Sequence, residues 1–265
     1  MKILFFGDIV GQVGRNAVKH NIEKLVKKYQ IDFVIANGEN ATHGKGLIEK
    51  HYNELIDAGV DCITLGNHYL SKNMIVNYID DATSLVRPLN ISKRIGGEGS
   101  VVFEANGVKI RVTNILGTAF MQEEVASPYY SLKSLIDNNE GEDAIHIVDF
   151  HAEATGEKMS FGYCFDGLVS AIVGTHTHVQ TNDAKILENG TGFITDVGMC
   201  GAANGVLGFD KDTVIQKTIF GSNERFDLDK EDQEMVNAVV IDVDEMSHKT
   251  REIFAISLLG EKHNG

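Results

Sequence analysis

Asp32-Phe33-Val34-Ile35-Ala36-Asn37-Gly38-Glu39-Asn40 is an apolar run that stops at a glycine and then presents polar side chains. A short apolar run bounded in this way reads as a buried strand. The chain repeats the pattern on both sides. Upstream, residues 3–6 are apolar and end at Gly7-Asp8, and beyond Gly14 the residues Val18, Ile22, Leu25, Val26 and Tyr29 recur at helical spacing. Downstream, Ile48, Tyr52, Leu55 and Ile56 mark a second amphipathic helix, and 62–65 form a third strand ending at Gly66-Asn67-His68. This βαβαβ order implies a parallel sheet whose strand carboxyl ends share one edge, with Asp8, Glu39, Asn40, Asn67 and His68 on it.

Farther along, 71–99 reads as a short helix near 74–79, then Arg87-Pro88-Leu89-Asn90 and a glycine-rich loop, a candidate lid or cap over that edge. Residues 101–105 and 108–115 flank Asn106-Gly107, a two-residue hairpin signal because both turn positions need positive φ. A helix over 131–136 precedes a strand at 144–148, which ends in Asp149-Phe150-His151 and leads to a helix near Thr155. The strand 169–173 runs into Gly174-Thr175-His176-Thr177-His178, two imidazoles one residue apart. Residues 185–188 and 192–195 flank a second turn at Asn189-Gly190, with Asp196-Val197-Gly198-Met199 closing that hairpin. Residues 236–243 and 252–258 read as paired strands, and the charged run 227–234 as a solvated loop or helix. Without an internal repeat or linker, 1–265 is expected to be a single α/β domain of two packed mixed β-sheets flanked by helices.

At 265 residues and 43% hydrophobic content the chain can bury a substantial core. Its net charge of -14 argues against a broad grip on polyanionic nucleic acid, which needs many Lys and Arg contacts, so no extended nucleic-acid groove is expected. A small phosphate compound remains compatible, since bound divalent cations make a site locally positive. Cys62, Cys164 and Cys200 are far apart and make no CxxC pair, which fits a reducing cytoplasm. The amino-terminal apolar run is too short for a signal peptide, and no segment approaches membrane-spanning length, so neither export nor membrane insertion is expected.

Asp8, Glu39, Asn40, Asn67, His68, His151, His176 and His178 all follow apolar runs. Each has an ordinary reading alone: a helix cap for Asp8, loop polarity for Glu39-Asn40, a turn for Asn67-His68, a satisfied core imidazole for His151. Their joint occurrence in βα order favours a site. Two divalent metals roughly 3.5–4 Å apart need about this many oxygen and nitrogen donors, with one bridging carboxylate, for which Glu39 is the candidate. His20, His43, His51, His146, His248 and His263 lack the strand-end context and are expected at the surface or behind the site.

The ordered set Gly7-Asp8, Gly38-Glu39-Asn40, Gly66-Asn67-His68, His151 and Gly174-Thr175-His176-Thr177-His178 resembles the calcineurin-like metallophosphoesterases, which fold as an αββα sandwich. It departs from the broad family twice: Val10 stands where the usual Asp-x-His motif has its histidine, and Glu39-Asn40 replaces an Asp-centred motif. With Gly7-Asp8-Ile9-Val10-Gly11, Asp149-Phe150-His151-Ala152-Glu153-Ala154-Thr155 and 173–180, the chain looks like the YmdB-like bacterial phosphodiesterases over residues 3–258. The resemblance implies two divalent ions, iron or manganese. It places Asp8, Glu39, Asn40 and His178 on one ion and Glu39, Asn67, His151 and His176 on the other, with Asn40 compensating for the missing histidine.

The same resemblance implies hydrolysis of small cyclic nucleotides, 2',3'-cyclic and 3',5'-cyclic, by a hydroxide bridging the metals, with unligated His68 as proton donor. Asp149 and Asp196 are expected as carboxylate partners of metal-bound imidazoles. Tyr69-Leu70 stand where this branch usually has a tryptophan, a residue absent from the chain. Self-association is left open by the sequence. A regulatory or RNA-associated protein on the same scaffold is disfavoured by the acidic charge and the complete donor set. An amidohydrolase is disfavoured because its His-x-His pair normally ends the first barrel strand, whereas this one comes late.

Overall fold

The computed structural model describes residues 1–92, 95–139, 141–223, 225–229 and 233–260. In chain order the elements are β1 (Lys2–Phe6), β2 (Asp8–Ile9), α1 (Gly11–Tyr29), β3 (Phe33–Asn37), α2 (Glu49–Asp57), β4 (Cys62–Thr64), a 3-10 turn at Asn73–Asn77, β5 (Leu85–Val86), β6 (Ser100–Ala105), β7 (Val108–Leu116), α3 (Pro128–Asn138) and β8 (Ile145–His151). There follow α4 (Thr155–Cys164), β9 (Ala171–Thr175), β10 (Lys185–Ile186), β11 (Gly192–Ile194), β12 (Met199–Ala202), α5 (Lys211–Thr218), β13 (Glu234–Val243) and β14 (Thr250–Leu259).

One sheet runs β2-β12-β13-β1-β3-β4-β5, with β14 on β13, and the other runs β10-β11-β9-β8-β7-β6. The strands β1, β3, β4 and β5 are mutually parallel, as are β7, β8, β9 and β11, while β13 meets β1 antiparallel. The period-2 alternation of side chains explains the layering. Ile3 and Phe5 join Ile110, Val112, Ile147 and Val173 between the sheets, whereas Leu4 and Phe6 face Val18, Ile22 and Leu25 of α1. On the far side Val148 and Phe150 pack against Leu132, Phe161 and Phe165, with the Phe150 and Phe161 rings stacked 4.0 Å apart. The result is the expected helix–sheet–sheet–helix layering, with two mixed sheets.

Several expectations need correction. Met199 does not close the 185–195 hairpin: β12 pairs with β2 and β13, carrying the chain into the other sheet. The hairpin itself forms between β10 and β11. Glu234 begins a strand instead of ending a solvated loop. His51 and His146 are buried, because Thr42 and Thr113 hydroxyls satisfy one ring nitrogen of each at 2.7 and 2.9 Å. At the Asn106-Gly107 hairpin both turn residues do have positive φ. Within 71–99, Ile75 and Tyr78 are buried, the Tyr78 hydroxyl donates to Leu47 O, and Leu85–Val86 extend the sheet. Residues 93–94 of the glycine-rich loop, 230–232 of the charged run and His263 lie outside the described residues. Among the described residues no helix is long and apolar enough to cross a membrane.

Candidate metal centre

The carboxyl ends of β1, β3, β4, β8 and β9 bring all eight sequence-identified residues to one place. Asp8, Glu39, Asn40 and His151 form a buried floor, and Asn67, His68, His176 and His178 a half-buried rim. His151 Nε2 lies 3.1 Å from Glu39 Oε1, 3.0 Å from Asn67 Oδ1 and 3.0 Å from His176 Nδ1. Around Glu39, Asn40 Nδ2 donates to Oε1 at 3.1 Å, and His68 N donates to Oε2 at 2.9 Å. His178 Nε2 sits 3.1 Å from Asn40 Nδ2 and 3.8 Å from Asp8 Oδ1. Both buried carboxylates span the cluster: Glu39 reaches His151 and Asn40, while Asp8 Oδ1 lies 4.0 Å from His151 Nδ1 and 3.8 Å from His178 Nε2.

The backbone is shaped to this convergence. A Cβ at Gly66 would collide with Glu39 Oε2 and His151 Nε2, so glycine alone lets β4 end against the cluster. His176 and His178 have φ of 98° and 64°, a region costly for side chains with a Cβ. Their loop is held there by buried carboxylates: His176 N donates to Asp8 Oδ2 at 3.0 Å, and Thr177 N and Oγ1 donate to Asp196 Oδ2 at 3.1 and 2.7 Å. Lys158 Nζ pairs with Asp196 Oδ2 and donates to Thr175 O.

Hydrogen bonds behind the cluster settle two tautomers. The Thr175 hydroxyl donates to Asp149 Oδ1 at 2.6 Å, so toward His151 Nδ1, 2.9 Å away, it can only accept. That keeps one ring proton on Nδ1 and turns Nε2 toward Glu39, so a bound cation would take the place of the Nε2 proton. His176 Nε2 lies 3.1 Å from Glu153 Oε2, which frees Nδ1. Asp149 therefore reaches the imidazole through Thr175, and it is itself fixed by Thr64 and Asn37. Asp196 acts on the loop backbone and not on a ring. Sequence reasoning missed Thr175, Lys158, Glu123, Glu153 and Leu207, whose carbonyl faces His178 Nδ1 at 3.1 Å. Glu153 was findable as a carboxylate two residues past His151; Leu207 O has no sequence signal.

The electrostatics show a site that attracts positive charge. Burial would lower the proton affinity of His151, but Glu39 and Asp8 outweigh it and hold it up at about 9. Burial opposes ionisation of Glu39 as well, yet His151 and His68 pull its carboxyl well below the usual range. Asp8 is raised to about 6 by burial, and His176 is pushed down to about 3 by burial and the neighbouring His151 charge. Asp8 Oδ1 is buried without a hydrogen-bond partner, as is Asn114 Oδ1.

A buried carboxylate oxygen without a hydrogen-bond partner is costly unless a cation joins it, and the donor atoms around it stand about 3 Å apart. Donors each about 2.1 Å from one ion in octahedral geometry stand about 3 Å apart. Glu39, His151 and His176 each offer a ligand atom, all within 4.8 Å of one another. The donor set fits a divalent metal. Asn40 is the exception in detail, since it presents its amide nitrogen to Glu39 and His178, whereas ligation needs its carbonyl oxygen there.

Comparisons with known proteins agree with this architecture. The YmdB-like protein family matches residues 4–256. A 2',3'-cyclic-nucleotide 2'-phosphodiesterase of Bacillus subtilis is 44% identical over 263 residues, covering 99% of this chain and 98% of the relative. A crystal structure described as a novel phosphatase of Mycoplasma pneumoniae superposes with a TM-score of 0.93 at 42% identity, covering 99% of this chain and 95% of that one. A hypothetical protein from Thermus thermophilus superposes with a TM-score of 0.90 at 33% identity, over 98% of this chain and 100% of the other.

Proposed function

The chain belongs to the YmdB-like protein family, and from that premise we propose that it is a dinuclear-metal phosphodiesterase acting on cyclic nucleotides, the 2',3'-cyclic compounds first. The observation that carries the reading is the meeting of Glu39, His151 and His176 beside the orphaned Asp8 Oδ1. Asp8, Glu39, His178 and Asn40, the last with its amide turned to present the carbonyl oxygen, would hold one ion, and Glu39, Asn67, His151 and His176 the other, with iron or manganese as the candidates. Bound there, two divalent ions supply Lewis acidity toward phosphoryl oxygens and a nucleophile at neutral pH.

The chain's own residues supply the rest. The His68 main chain is pinned to Glu39 Oε2, and its imidazole belongs to neither ligand set, which leaves it free to protonate the departing ribose oxygen. Burial lowers its proton affinity, the Glu39 carboxylate partly restores it, and Lys45 lowers it again. Asp149 and Thr175 hold the His151 tautomer, and Asp196 holds the loop between the two rim histidines. Residues 1–265 would act as one domain, with 71–99 as a cap beside the site.

Metal analysis of anaerobically purified protein, paired with hydrolysis of 2',3'- and 3',5'-cyclic nucleotides, tests the reading. About two equivalents of iron or manganese and turnover of the 2',3'-cyclic compounds are expected. Metal-loaded protein inert toward both classes and toward an aryl phosphodiester would return the chain to a regulatory role.

A further inference from the structure

Two carboxylates at the site belong to neither ligand set. Glu123 Oε1 accepts from Asn67 Nδ2 at 3.2 Å, and Glu153 Oε2 lies 3.1 Å from His176 Nε2. Each touches the outer side of a rim residue. Glu123 is half-buried and the Glu153 side chain is 50% exposed, so both charges stand at the solvent-side rim of the cluster.

Glu123 is not on a loose tether. At the start of its loop, Thr118 N, Thr118 Oγ1 and Ala119 N all donate to the Glu157 carboxylate. At the end, Asn90 Nδ2 donates to Ala126 O, and Ala126 N donates to Asn90 O. The charge is therefore held in place beside Asn67. Of the cations in this region, Lys158 is buried and paired with Asp196, Lys45 acts on His68 as Glu123 does, and Arg87 acts on Tyr69 as Glu123 does.

We propose that Glu123 and Glu153 are specificity-determining residues that favour a singly charged phosphodiester over a doubly charged phosphomonoester. This rests on the phosphodiesterase reading and deepens it. A diester carries one negative charge, whereas a monoester above pH ~6 carries close to two. Two divalent ions against the Asp8 and Glu39 carboxylates would leave a net positive site, attractive to a dianion. Glu123 and Glu153 offset that positive charge, so the second charge of a monoester gains little on binding. The product of diester hydrolysis is itself such a monoester, and the same two carboxylates hasten its departure.

The test compares kcat/KM for an aryl phosphodiester and the matching aryl phosphomonoester at pH 8. Wild type, E123Q/E153Q and E123D/E153D are measured, with metal content read on each and the Kd of inorganic phosphate taken by calorimetry. In the Gln pair the monoester-to-diester ratio is expected to rise about tenfold or more, and phosphate to bind correspondingly tighter. The Asp pair, which keeps the charge but shortens the reach, is expected to stay within about threefold of wild type.

An unchanged ratio in the Gln pair, or an equal rise in the Asp pair, overturns the proposal. So does loss of metal from the Gln pair, since holding Asn67 and His176 would then be the whole role. Wild type inert toward both esters would overturn the phosphodiesterase reading instead, and phosphate affinity would still report on the two charges.

Discussion

Lys158 Nζ lies 2.7 Å from Asp196 Oδ2, and each side chain is 1% exposed. The same carboxylate oxygen receives Thr177 N and Oγ1, so a buried ion pair sets the backbone between His176 and His178. Removing one partner of such a pair leaves the other charged in a dry interior. Lys158→Met is expected to destabilise the fold by about 3–5 kcal/mol. Urea unfolding followed by far-UV circular dichroism measures it, and a loss under about 1 kcal/mol would show that Asp196 finds other compensation.

His68→Ala separates proton donation from metal binding. Turnover of a 2',3'-cyclic nucleotide is expected to fall about 10²-fold or more while metal content stays at the wild-type level. Unchanged turnover would remove His68 from the acid role.

In the proposed dinuclear site Glu39 is the bridging carboxylate, and its Oε1 already contacts both Asn40 and His151. Glu39→Gln keeps the volume but removes the charge. The variant is expected to retain less than about half of the wild-type metal after dialysis, by elemental analysis. Full retention would mean that the two ions bind independently of a bridge.

Gly66 and Gly174 are both closed to a side chain, but against different things. At Gly174 a Cβ would strike the Thr195 carbonyl on the neighbouring strand, whereas at Gly66 it would strike the Glu39 and His151 donor atoms. Gly174→Ala is therefore expected to lower Tm by about 4 °C or more, and Gly66→Ala to reduce metal binding with a smaller change in Tm. Calorimetry and elemental analysis on both variants give the comparison; equal losses of metal would dismiss the distinction.

His146 gives the fold a pH dependence away from the site. Burial and the Arg111 charge push it down to about 3, against about 6.5 in an unfolded chain. Between those values the unfolded state takes up a proton that the folded state refuses. The contribution is complete above pH ~6.5 and is lost as pH falls toward 3. His146→Gln is expected to be about 2–3 kcal/mol less sensitive than wild type to a drop from pH 7 to 4.5, by urea unfolding at the two values. Parallel losses in both proteins would place the acid sensitivity elsewhere.

The sequence carried the strand ends well, because a parallel sheet forces polar residues after each buried run onto one edge. Asp8, Glu39, Asn67, His151 and His176 were legible for that reason. Thr175 and Lys158 were not: a threonine at the end of a strand and a lysine in a helix look ordinary until Asp149 and Asp196 come within reach across the fold. Glu123 sits in a loop without periodicity, and its importance comes from Asn67, 56 residues away. The placement of Met199 failed for a related reason, since local turn chemistry says nothing about which of two sheets receives the next strand.

The partnership of β1 with β13 bears on how the protein is made. Phe5 faces Val239 and Leu4 faces Val240 across that ladder, while β3 covers the other edge of β1 as soon as it emerges. During synthesis at about 5–20 residues per second, one edge of the first strand waits on the order of 10–50 s for its mate. Throughout that interval Ile3, Leu4, Phe5 and Phe6 are an unpaired apolar template, the kind that recruits foreign strands. Nascent chains stalled before residue 234 are thus expected to aggregate more readily than chains that include β13, which closes that edge of β1.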